Sequence, residues 1–96
     1  MNQPVQPKVT VMNLPEYRET YANSIQVRTN LWDIFFSFGT INQTSPEDVE
    51  IRNFQGIYLS PQQAKAFLNV LHQNIQQYEA AFGEIRLEPK PPGVVQ

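Results

Sequence analysis

The side chains able to do chemistry are few, and their spacing works against catalysis. His72 is the one histidine, and the chain has no cysteine. On a helix, His72 has Asn69 and Gln76 in the adjacent turns and no His, Cys or carboxylate at i±4. A metal site on one helix needs its second ligand there, so His72 reads as a boundary histidine and neither metal nor cofactor is expected. Glu47, Asp48 and Glu50 could form an acid–base pair. They follow a Ser-Pro turn at a strand entrance, however, where carboxylates ordinarily face water. Asp33 lies among the aromatics of LWDIFF (31–36). It reads as a solvated edge carboxylate, or as one that pairs with Arg28, Arg52 or a partner chain, since burying it unpaired is costly. Arg28, Arg52, Phe54 and Tyr58 share a strand face by parity and mix cations with rings, as a single-stranded nucleic-acid platform does. Two arginines beside Asp33, Asp48 and Glu50 do not make a basic groove. Gly39 and Gly56 stand alone and form no phosphate-binding loop. The expectation is a protein that is not an enzyme.

The elements that hold these residues must come from 96 residues, enough for one core. The chain is 41% hydrophobic and 17% charged, with a formal net charge of −2 and a sequence pI of about 5.2. A nucleic-acid binder carries a basic face, so this charge balance argues against that class. Without cysteine there are no disulfides, thiolate nucleophiles or zinc ribbons. No apolar run approaches the ~20 residues that span a bilayer, and the first residues carry no signal-peptide h-region. The expected location is cytoplasmic, with no membrane partner.

Residues 1–20 read as an N-terminal tail with a possible edge strand at Val9–Met12, and 86–96 as a proline-rich C-terminal tail. Between them, 21–85 read as one α+β domain. YANSIQVRT (21–29) places Tyr21, Ile25 and Val27 on one face. LWDIFFSFGTI (31–41) places Trp32, Ile34, Phe36 and Phe38 on one face and Leu31, Phe35 and Ile41 on the other. VEIRNFQGIYLS (49–60) places Val49, Ile51, Ile57 and Leu59 together, with Phe54 and Tyr58 opposite. The short connections predict an antiparallel sheet of three to four strands.

The helix is the most sharply specified element. Ser60 is an N-cap type, Pro61 suits the first helical position, and Gln63 completes a capping-box spacing. Ala64, Leu68, Leu71, Ile75, Tyr78 and Phe82 make one apolar stripe, and Gly83 suits a left-handed C-cap. This long C-terminal helix is expected to pack on one face of the sheet. That leaves Leu31, Asp33, Phe35, Ile41, Phe54 and Tyr58 on a second face with nothing to cover them, a larger apolar patch than soluble monomers usually expose. Either the N-terminal VTVMNL segment (9–14) covers it, or a second polypeptide does. A homo-oligomer, dimer or higher, is the expected solution, with those six residues as interface or partner-binding positions.

The order YANSIQV, DIFFSFG and then IYLSPQQAKAFLNVLHQNIQQYEAAFGEI resembles the bacterial and archaeal family called domain of unknown function 3467. The matching positions run from Tyr21 to Ile85 and include Tyr21, Asn23, Asp33, Gly39, Pro61, Lys65, Asn74, Tyr78, Glu79 and Gly83. Ile34 stands where the family commonly has Phe. The resemblance implies a cytoplasmic stand-alone domain and supplies no catalytic residue. It singles out Asn23, Asn74 and Glu79 as polar motif positions: Asn23 to bond backbone at the end of the sheet, Asn74 and Glu79 to hold the helix to a sheet edge or a neighbouring subunit. In arrangement alone, strands followed by a long helix are similar to the SecB-type export chaperones, which bind unfolded segments on apolar grooves. The functional expectation is a non-catalytic assembly or protein-binding module, with a SecB-like holdase and a nucleic-acid binder as alternatives.

Overall fold

The computed structural model of the chain describes residues 4–87. It contains three strands, β1 (Ser24–Thr29), β2 (Ile34–Gln43) and β3 (Val49–Leu59), followed by one helix, α1 (Pro61–Phe82). The strands form an antiparallel sheet in the order β1-β2-β3, each hydrogen-bonded to its neighbour in sequence. The architecture is α+β, as expected, with the sheet at the lower strand count. Val9–Met12 forms no strand, and residues 4–23 have no regular secondary structure beyond a turn in which Tyr17 N–H donates to the Leu14 carbonyl (2.9 Å). The expected C-terminal tail lies mostly outside the described residues.

Two turns set the sheet. The β1–β2 hairpin closes through Asn30, whose side-chain oxygen accepts from the Trp32 N–H (2.8 Å) and the Asp33 N–H (2.9 Å). Its amide donates to the Asp33 carboxylate (2.9 Å), so one short polar side chain satisfies the whole tip. Leu31 and Trp32 therefore stand at an exposed tip, Trp32 79% exposed, rather than within a strand. The β2–β3 turn closes through Ser45 and Asp48, each bonding the other's backbone or side chain.

A bulge between Phe38 and Gly39 changes which residues share a face. Phe38 lies opposite Gln55, but Gly39 lies opposite Asn53, so Phe54 is the extra residue on β3. Gly39 makes this possible through its missing side chain: a Cβ there would stand 2.4 Å from the Arg52 carbonyl oxygen. The alternation of β3 flips at this point. Ile51 pairs with Ile41 and Val49 with Gln43, on the Phe35 face, not beside Ile57 and Leu59 as unbroken parity predicts.

The helix begins and ends where its punctuation places it. Ser60 is extended (φ −62, ψ 154) and its Oγ accepts from the Gln63 N–H (3.1 Å), satisfying one of the free donors of the first turn. Gly83 adopts φ 104, ψ 168, a positive-φ conformation open to glycine but extended in ψ rather than the expected left-handed cap, and its N–H donates to the Glu79 carbonyl (2.9 Å). The contact with the sheet is confined to the first turns of α1. Phe67 meets the edge of Phe36 at 6.1 Å between ring centroids. Farther along, the stripe stands free, with Leu68 63% and Phe82 77% exposed, and no residue of the helix is buried.

Candidate interaction surface

Two sheet faces offer themselves. The first carries Ile25 and Val27 from β1, Ile34, Phe36 and Phe38 from β2, and Ile57 and Leu59 from β3, matched by the register. The bulge adds Phe54, which lines a groove of about 750 Å³ with Phe38, Ile57 and residues 16–20 of the N-terminal segment. Tyr17 in that segment donates to the Glu19 carboxylate (2.8 Å), which raises its pKa above the ordinary phenol value. Nearer the helix, Phe36, Phe38, Ile57, Leu59 and Phe67 line a second, smaller hollow of about 250 Å³. No charged strand residue intrudes between Ile25 and Leu59 on this face.

The second face is the one for which the sequence suggested a partner, and it is partly finished by its own residues. Phe35 lies over Gly56, where a Cβ would come within 2.6 Å of the ring. It packs against Tyr58 with the ring planes tilted by 44° and centroids 4.5 Å apart, and the Arg28 guanidinium sits 4.7 Å over it. Contacts of these two kinds contribute about 0.5–1.5 kcal/mol each. Ile41 and Ile51 cover one another farther along. Tyr58 remains well exposed.

Of the six positions expected to share this second face, the structure brings together Phe35, Ile41 and Tyr58. Leu31 is at the hairpin tip, Asp33 is held by Asn30 in the same turn, and Phe54 is on the opposite face. Asp33 accordingly pairs with neither Arg28 nor Arg52. Arg52 pairs with Glu50, which raises the guanidinium pKa further, and by register it faces away from Arg28 and Tyr58. The mixed cluster of two arginines and two rings does not form. The missed residues have a visible signal, since an isolated glycine inside a strand pattern marks a bulge. Phe67 also belongs to the helix stripe, three residues after Ala64 and four before Leu71.

The polar motif positions act locally. The Asn23 N–H donates to the Gly39 carbonyl (3.1 Å) and its side-chain oxygen accepts from the Ile41 N–H (2.8 Å), extending the ladder past the end of β1. The Asn74 amide donates to the Val70 carbonyl of its own helix (2.8 Å). Glu79 accepts from the Ile85 N–H (2.9 Å) and folds the chain back after Gly83. Within one chain, neither Asn74 nor Glu79 ties the helix to the sheet.

Among the described residues no group of three His, Asp or Glu side chains could hold a metal ion. Among the same residues no helix is long and apolar enough to cross a membrane. No curated protein and no solved structure matches the chain. A family model matches residues 1–87, taking in the N-terminal segment that the motif of 21–85 leaves outside. On that match, the chain belongs to the family described as Protein of unknown function (DUF3467).

Proposed function

We propose that the chain is a non-catalytic assembly or protein-binding module that works in the cytoplasm as a homo-oligomer. The observation that carries this reading is the state of its apolar residues: among the described residues no hydrophobic side chain is buried. Among the same residues, Ser24 and Gly39 alone are buried. The accessible surface of 9137 Å² compares with about 5,700 Å² for a compact monomer of 11.1 kDa. The radius of gyration of 18.2 Å compares with about 12–13 Å for a compact domain of this length. Folding needs apolar burial to offset the entropy of ordering the chain, and one copy supplies little of it. A second polypeptide completes what the sequence specifies so sharply.

The test is the absolute mass in solution, by light scattering behind a sizing column. A dimer or higher multiple of 11.1 kDa is the expected result. A mass of 11.1 kDa refutes the homo-oligomer. It leaves the same apolar face to a client chain, the holdase alternative, which is read by suppression of aggregation of an unfolded protein.

A further inference from the structure

β3 ends at Leu59 and α1 begins at Pro61, which leaves Ser60 alone between them. Ser60 is extended, as the residue before a proline prefers. It is held on the helix side by the Ala64 N–H to its carbonyl (2.9 Å) and by the Gln63 N–H to its Oγ (3.1 Å). A helix that doubles back across its own sheet needs a flexible connection, about 2–6 residues in strand–helix units. A single restrained residue sends α1 off the end of an edge strand, with its stripe aimed past the sheet. Short hinges of this kind favour exchange of an element between copies.

From this joint we propose that α1 is exchanged: it lays its stripe on the Ile25, Val27, Phe36 and Ile57 face of a second copy of the chain, and the partner's helix returns the contact. This rests on the homo-oligomer reading above. The dimensions agree, since the 22 residues of α1 span about 33 Å and the 11 residues of β3 about 36 Å. The chemistry agrees as well. Ala64, Leu68, Leu71, Ile75, Tyr78 and Phe82 carry no charge, and neither do Ile25, Val27, Phe36 and Ile57; the charged residues of β3 on this face, Arg52 and Glu50, lie beyond the bulge and pair with each other. The surface of 9137 Å² exceeds that of a compact monomer by about 3,400 Å² per chain, part of it from the largely exposed residues 4–23, and obligate interfaces take up about 1,000–2,500 Å² from each partner. Two equivalent copies of one self-complementary contact close on themselves as a two-fold dimer.

The test mixes ¹³C-labelled and unlabelled chains, unfolds and refolds them together, and records isotope-filtered NOEs. Cross-chain NOEs are expected between the methyls of Leu71 and Ile75 and those of Val27 and Ile57. An oligomer in which helix–sheet NOEs are absent, or arise only within a chain, overturns the exchange and leaves the homo-oligomer standing. A single chain of 11.1 kDa overturns both. A companion variant with a four-residue Gly-Ser insertion after Ser60 lets the helix fold back. Its mass is expected to fall at least twofold, to that of one chain, and an unchanged mass overturns the exchange. If the lengthened chain does not fold, the wild-type NOEs decide alone.

Discussion

Gly39→Ala isolates the bulge, because this glycine is needed for its size and not for its backbone angles. Gly83 has the one positive φ among the described residues. The added Cβ at position 39 would stand 2.4 Å from the Arg52 carbonyl oxygen, 2.9 Å from its carbon and 2.6 Å from Asn53 Oδ1. Two of those three atoms are backbone, so β3 must retreat by about 1 Å to reach ordinary contact near 3.5 Å. Overpacking of this kind costs about 1–3 kcal/mol, and each ladder bond lost beside the bulge costs about 1 kcal/mol. Alanine recovers about 0.5–1 kcal/mol of strand preference over glycine. With one such bond lost, the net expectation is a destabilisation of about 1–3.5 kcal/mol, a large part of the stability of a small domain. Gly56→Ala is the matched control, since its Cβ meets only the Phe35 ring, at 2.6 and 2.8 Å. That ring can swing aside at the expense of its contacts with Tyr58 and Arg28, for a net of about 1 kcal/mol. Urea unfolding followed by far-UV circular dichroism, at one fixed chain concentration, measures both. Trp32 fluorescence reports poorly because the indole is already exposed at the hairpin tip. A Gly39→Ala midpoint equal to or above that of Gly56→Ala refutes the bulge argument.

Two further outcomes are expected. Asn30→Ala removes all three bonds of its side chain at the β1–β2 tip and should lower stability by about 1–2 kcal/mol, with the thermal midpoint as readout; an unchanged midpoint means that water replaces Asn30 fully. Leu71→Asp places a charge in the middle of the stripe, where the side chain is 42% exposed in one chain. In the homo-oligomer proposed above, the variant should lose the oligomeric mass at micromolar concentration. Retention of that mass would put the interface elsewhere.

The helix was legible because its signals are local and agree with one another. A cap, a proline, an apolar stripe and a glycine all lie within the segment they define, and the observed Pro61–Phe82 follows from them. The strands were legible in number and pairing, but not in their ends. Trp32 reads as a strand residue because aromatics favour strands, yet Asn30 captures the Trp32 and Asp33 amides and ends the ladder first. The faces of β3 were misread for one reason, the flip of alternation at Phe54. Gly39 carries the cue, since an isolated glycine within a strand pattern marks a bulge. Where the helix goes was not legible from periodicity at all. A stripe shows that a surface must be covered, and the direction is set by the joint at Ser60.

The strand order carries a consequence for how the chain reaches its final state. Each strand pairs with the next in sequence through a short, self-bonded turn, so the sheet has low contact order and can close in microseconds to milliseconds. The helix stripe finds no comparable partner nearby. If the chain assembles as proposed above, refolding should divide into a fast phase indifferent to dilution and a later one that accelerates as chains become more concentrated.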